Sequence, residues 1–374
     1  MKILVDTRSF FHSNINSGTI QFLNKLFSHL QQTIDGLEFV LLTDKFSKQF
    51  VKNTSSHSIL TINSLHGKLG WKIWFDFQIP QAAKKNKIDL FISNCITSSS
   101  LKIPQCIFLF NDAENNYSTK TKSFFSFYKA RKKTSFVKAK SIFVFSEYAK
   151  QNISQQEKVD PAKIHVLHSA ANENYKPLLW TEKENVKIKF AGGKEYFAVM
   201  GIEKTEGIIT ILKAFSQFKK RQQSNMQLLI MGENTAGNFE LTEKLESFKY
   251  RTDVHLHDSD DEKNVCSIIS ASYALIYYSD ENEPAIEIAN ACMANVPVIT
   301  SKTNSLIELF EDSIVYSDIS NYDLLSADMI TMYKDENFRK QLIEKEKMKS
   351  AQFGLQQTCN ELWYGFLQAT NNKE

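Results

Sequence analysis

Two short apolar runs frame the best-organised stretch of the chain, YALIYYSDENEPAIEIANACMANVPVIT at residues 273–300. Residues 274–278 and 296–299 are almost wholly apolar over strand-like lengths, as strands covered on both faces of a parallel sheet are. Between them Pro284 stands where a first helical turn tolerates it, and residues 285–293 place apolar side chains at helical spacing. The stretch predicts a strand, a polar loop, a helix and a second strand. In an open α/β sheet, ligands bind at the carboxyl ends of strands beside helix N-termini. Residues 279–283 fall there.

The same alternation recurs along the chain. Residues 2–6, 39–43, 89–93, 106–110, 141–145 and 165–167 predict strands in the first half, and 196–200, 227–231 and 254–257 in the second. Helical spacing covers 20–30, 71–82 with a break near Pro80, 208–218, 329–334, 338–348 and 359–367. Ser146 stands in capping position before a helix. Residues 178–189 are polar and charged enough for a linker. A chain of 374 residues is long for one core and suits two domains, 1–178 and 179–354, with a tail from 355 to 374.

Composition narrows the class. Hydrophobic residues at 42% and charged residues at 23% are those of a soluble globular protein. Lys and Arg number 45 and Asp and Glu 42, a net charge of +3, too small to imply nucleic acid. The five cysteines are scattered and form neither a metal nor a disulfide pattern, which predicts a reducing compartment. No signal-peptide core opens the chain, and no apolar run reaches membrane-spanning length. His255 and His257 have no companion ligands and read as strand residues. One segment stands out: 120–140 holds Lys120, Lys122, Lys129, Arg131, Lys132, Lys133, Lys138 and Lys140, no acid, and five interleaved aromatics. Such a segment suits an anionic membrane surface. It equally suits a solvated helix whose aromatic face packs inward.

At this point a family resemblance enters. The stretch 273–300 resembles the donor-binding segment of the family-four retaining glycosyltransferases (glycosyltransferase group 1 type). Their pattern is Pro-Ser-x-x-Glu-Gly-Phe-Gly-Leu-Pro-x-x-Glu-Ala, then small residues, Gly and x-Pro-Val. Anchored on Pro297 and Val298, the register puts Ser279 on the serine, Asn282 on the first glutamate, Glu283 and Ala285 on the two glycines and Asn290 on the second glutamate. Further landmarks follow in family order: Gly18 in a turn before an aromatic Phe22, Asn111-Asp112 where the family has His-Asp, Ser146-Glu147, Gly201, Ala214-Phe215, Gly232-Glu233 and Ser305-Leu306-x-Glu308. The resemblance implies an α/β protein of the GT-B fold, two Rossmann-like domains flanking a cleft, with the C-terminal helix returning to the N-terminal domain. The N-terminal domain would serve the acceptor and the C-terminal one the nucleotide-sugar.

The resemblance also implies a site, and there the chain departs from its family. The family's histidine, arginine, lysine and two glutamates fall on Asn111, Thr205, Glu206, Asn282 and Asn290. A retaining transferase must stabilise a diphosphate leaving group with pre-placed positive charge. Glu206 in place of a lysine repels it unless Lys204 turns in. The expected catalytic positions are Asn111, Asp112 and Glu283. The expected donor cleft comprises Gly18, Gly201, Lys204, Thr205, Glu206, Ser279, Asn282, Glu287 and Asn290, with no metal or other cofactor. Two readings stand. In one, a pseudo-glycosyltransferase of cell-surface polysaccharide biosynthesis binds a partner transferase or a glycan. In the other, a divergent but active enzyme moves a hexose from a nucleotide-diphosphate sugar to a glycan or lipid-linked acceptor. Both predict a cytoplasmic protein, membrane-associated at the inner face if 120–140 docks there.

Overall fold

A computed structural model describes residues 1–11, 17–45, 47, 57–110, 122–201, 205–232, 235, 237, 239–259, 261–278, 284–350 and 352–371. The chain forms two compact units. The first is built from 1–169 with 355–374, the second from 170–280 with 285–354.

The first unit holds β1 (Lys2–Asp6), β2 (Glu38–Thr43), β3 (Ser58–Thr61), β4 (Leu90–Asn94), β5 (Gln105–Phe108), β6 (Ser141–Val144) and β7 (Ile164–Val166). They form one sheet in the order β3-β2-β1-β4-β5-β6-β7, every pairing parallel. The central strands are buried along their length, which is why they read as continuous apolar runs rather than alternating ones. The edge strand β3 is mostly exposed and gave no apolar signal.

The second unit holds β8 (Tyr196–Met200), β9 (Gln227–Gly232), β10 (Val254–Asp258), β11 (Ala274–Tyr277), β12 (Val298–Ser301) and β13 (Val315–Ser317). Their order is β10-β9-β8-β11-β12-β13, again all parallel. Each sheet reverses its winding once, between β1 and β4 and between β8 and β11, the doubly wound arrangement that opens a crevice at the carboxyl ends of those strands.

Two sequence expectations are corrected here. The expected linker at 178–189 is a helix, Trp180–Ala191. Glu182 accepts from the Leu179 amide at 2.7 Å, and Lys187, nearly buried, lies between Glu184 and Glu195. The expected break near Pro80 is absent. Helix Gly67–Ile73 passes through a π-helical turn, Trp74–Gln78, into Ile79–Lys85. Pro80 sits in the first turn of that last piece, where its missing N–H costs little.

The long segment of the first unit ends at Ser169. The reason is local. The Ala171 amide donates to the Phe353 carbonyl at 3.1 Å, and Tyr175 packs in the core of the second unit. The final helix, Leu355–Asn371, packs on the first unit. Ser141 Oγ donates to the Gly365 carbonyl at 2.8 Å, and a Cβ at Gly365 would run into the Phe143 ring.

Candidate functional site

The carboxyl edge of the second sheet is built by the ends of β8 and β11. The Tyr278 amide donates to the Met200 carbonyl at 3.2 Å, bringing the two strand ends together. Gly201 follows with φ +81°, and a Cβ there would strike the Tyr278 carbonyl oxygen. Only glycine fits both demands. Helix Thr205–Gln222 begins just beyond, so Thr205 and Glu206 occupy its first turn. Of these two the backbone alone is described.

Helix Ile286–Met293 enters the same edge from β11. Its apolar positions up to Cys292 are buried, so its polar side chains are the informative ones. Glu287, in the first turn, is only 6% exposed. Burial raises its carboxyl above the usual range, against weaker pulls from its own amide and the Tyr277 hydroxyl. Among the described residues, Oε2 of Glu287 has no hydrogen-bond partner. Asn290, one turn on, is also buried. Its Oδ1 accepts from the Asn172 amide at 2.7 Å, and Asn172 Nδ2 donates to Glu262 at 2.7 Å. Asn290 thus closes a loop within the second unit. The helix ends through Asn295 at φ +56°, where the family pattern has its glycine. Asparagine tolerates that left-handed conformation better than other side chains do.

The structure therefore places Gly201, Glu287 and Asn290 along one sheet edge. Asn111, Asp112, Lys204, Ser279, Asn282 and Glu283 lie outside the described residues, as does residue 233. Gly18 belongs to the first unit and sits in the first turn of helix Ser17–Thr33 rather than in a glycine-rich loop.

The carboxyl edge of the first sheet holds a cluster that the sequence did not single out. Asp6, at the end of β1, is fully buried, and burial pushes its carboxyl up to about 6. Trp74 Nε1 donates to its Oδ1 at 2.9 Å. Arg8 Nε lies 3.0 Å from Asp44 Oδ2, and its Nη2 donates to the Leu65 carbonyl at 2.7 Å. The guanidinium carbon stands 4.0 Å over the Trp71 ring. An acid closing an apolar strand two residues before an arginine was the available signal, but its partners come from Asp44 and the helix at 67–78.

The basic segment is a helix, Lys122–Lys138, and its aromatic face packs inward. Phe124, Phe127, Tyr128 and Phe136 are buried. Arg131 forks onto Asp76 at 2.8 and 2.7 Å, Lys132 pairs with Glu157 at 2.7 Å, and Lys138 donates to the Ser99 carbonyl at 2.7 Å. The aromatics are core, and these three cations are engaged in the fold.

Two doubly wound parallel sheets of matching order, each with functional-type groups at its carboxyl edge, define a two-domain α/β protein of the GT-B class. Residues 181–349 match the family model of glycosyl transferases group 1. Solved structures agree over nearly the whole length. A glycosyltransferase from Rickettsia africae is 14% identical, covering 100% of this chain and 99% of its own, with a TM-score of 0.75. HepE from Anabaena, in complex with UDP and glucose, is 14% identical over 98% of this chain and 99% of its own, with a TM-score of 0.73. WaaG, a glycosyltransferase involved in lipopolysaccharide biosynthesis, is 12% identical over 97% and 98%, with a TM-score of 0.72. At such identities the likeness is one of fold. No curated protein matches the chain in sequence.

Proposed function

We propose that this glycosyltransferase-family protein keeps a nucleotide-sugar edge on its second unit but has lost the positive clamp for the diphosphate, so that transfer is slow or absent. The observation that carries the reading is Asn290. It stands where the retaining family-four pattern has its second glutamate, and its side-chain oxygen is committed to the Asn172 amide at 2.7 Å. A glutamate there would be free to hold a ligand; this asparagine holds a loop. The first turn after β8 agrees, since Thr205 and Glu206 bring a neutral and an acidic residue to the positions of an Arg-Lys pair. In this reading the phosphates would meet the amides of that helix N-terminus and Lys204, with no metal. The protein would serve cell-surface glycan biosynthesis as a partner of another transferase or as a glycan-binding subunit.

One observation favours the active reading. Glu287 presents a buried carboxyl with an unsatisfied Oε2 beside Tyr277, one turn before the lost glutamate. It could accept sugar hydroxyls in that residue's stead. Calorimetric titration with UDP, GDP and a panel of their hexose conjugates separates the two. The degenerate reading predicts dissociation constants weaker than about 0.1 mM, less than about 5.5 kcal/mol of binding free energy. Micromolar binding of one nucleotide-sugar together with hexose transfer to a lipid or glycan acceptor would overturn it.

A further inference from the structure

The final helix of the first unit, Leu355–Asn371, has an outer face without charge. One of its 17 residues, Glu361, is charged, in a chain that is 23% charged. Cys359, Leu362, Phe366 and Ala369 form its inward stripe and are fully buried. On the opposite side Gln356, Asn360, Tyr364 and Gln368 follow one another at every fourth position, all exposed. Exposed Gln357 and half-buried Trp363 flank that row. Tyr364 is 58% exposed. The outward row is therefore made of amides and aromatic rings.

The row is held in place by its neighbours. Gln356 Oε1 stands 3.0 Å from His29 Nε2, and Gln356 Nε2 donates to Asn360 Oδ1 at 3.0 Å. The His165 ring meets Tyr364 edge to face, with centroids 5.9 Å apart. The backbone beneath is fixed, since Ser141 Oγ donates to the Gly365 carbonyl and Gly365 lies against the Phe143 ring. Glu361 is turned aside: the His168 amide donates to its Oε2 at 2.9 Å, and His168 Nδ1 lies 2.6 Å from its Oε1. Among the described residues, Asn360 Nδ2, the Tyr364 hydroxyl and the Gln368 amide have no hydrogen-bond partner. The row thus offers open polar groups on a rigid base, so little ordering is needed on binding.

We propose that this row binds a neutral glycan chain lying along the helix, with one pyranose stacked on Tyr364 and neighbouring hydroxyls bonded by Gln356, Asn360 and Gln368. A sugar ring presents a face of C–H groups, which packs on an aromatic ring. Its hydroxyls are each donor and acceptor, and a side-chain amide matches them with a donor and an acceptor of its own. Successive turns of the helix repeat every 5.4 Å, about the length of one pyranose in an extended chain. A nucleic acid or other polyanion would need cations that the row lacks. A folded protein would need a larger apolar patch than one exposed ring supplies. Ser141 is the first residue of β6, so the Gly365 end of the helix stands at the amino end of the sheet. The site therefore tethers a polymer away from the carboxyl edge. The class of ligand rests on the glycan-handling reading above; the nucleotide edge plays no part in it.

The test is affinity electrophoresis in native gels cast with dextran, glycogen, a mannan or a galactan, and with sulfated dextran as the charged control. The wild type should be retarded by at least one of the neutral polymers. Tyr364→Ala should weaken that affinity about tenfold, and Asn360→Ala with Gln368→Ala by a similar factor, whereas Tyr364→Phe should keep it. Tyr322→Ala, at an exposed tyrosine of the second unit, should change nothing. Circular dichroism and thermal melts establish that each variant folds; should Tyr364→Ala melt early, the amide pair decides. Retardation by none of the neutral polymers overturns the proposal. So does retardation that neither Tyr364→Ala nor the amide pair reduces. Sedimentation velocity without glycan completes the test: self-association that Tyr364→Ala abolishes would mark a protein interface and overturn the proposal too. The gels contain no nucleotide, so this result and the nucleotide titration fail independently.

Discussion

At the scale of single residues, the informative positions are those where a family-like register meets an unfamiliar side chain. Asn290 was legible as a substitution but not as a structural element, because its partner Asn172 lies in a segment with no sequence pattern of its own. Its role is directly measurable. In Asn290→Ala the half-buried Asn172 amide loses this acceptor, at a cost of about 1 kcal/mol. Hydrogen exchange of peptides spanning 170–175 should speed up correspondingly. Asn290→Asp keeps an oxygen and should restore slow exchange; equal exchange in all three proteins would show that the bond is not made. Gly201 was legible as a family landmark at the end of a strand. The close approach of the Tyr278 carbonyl was not legible, since it depends on the pairing of β8 with β11. Gly201→Ala should therefore cost more than strain at one residue, about 2 kcal/mol or more by urea unfolding. The Asp6, Arg8 and Asp44 cluster escaped notice for the same reason: two strand ends, the turn of helix after β1 and the helical run at 67–78 must first be assembled.

At the scale of elements, the strands with continuous apolar runs were readable and the amphipathic or mostly polar elements were not. Helix Trp180–Ala191 fills its inward side with Val186, Phe190 and Ala191, and buries Lys187 by pairing it with two glutamates. Charge satisfied by charge looks the same in sequence as charge in water, so a linker was the natural expectation. Helix Glu336–Ser350 poses the converse problem. It buries Glu346 where it packs against helix Ile286–Met293. Burial raises that carboxyl well above its usual 4.5, outweighing a pull from the Val298 backbone. Below pH about 4.5 folded and unfolded chains both hold the proton and nothing is lost. Above it the unfolded chain releases the proton while the folded chain keeps it, so stability declines as pH rises toward the folded value. Glu346→Gln removes this dependence. Its urea midpoint should gain on the wild type steadily from pH 5 to pH 8; a constant difference would show that Glu346 is not held protonated.

At the scale of the whole molecule, the fold was legible because strands, helices and landmarks recur in one order over the full length, although each landmark alone is weak. Two sheets of the same winding follow from that order. The chemistry is less legible, because fold and function separate at the site, and the likeness to solved structures extends to the fold alone. The central claim is that the second unit is a donor edge that has lost its phosphate clamp. The measurement that tests it most directly is UDP and UDP-hexose binding to the wild type and to a Thr205→Arg, Glu206→Lys variant, with hexose release followed in the same samples. The account predicts weak binding to the wild type and a gain of tenfold or more, about 1.4 kcal/mol, in the variant, with hexose release staying low in both. Micromolar binding and turnover by the wild type, or no gain in the variant, would contradict it.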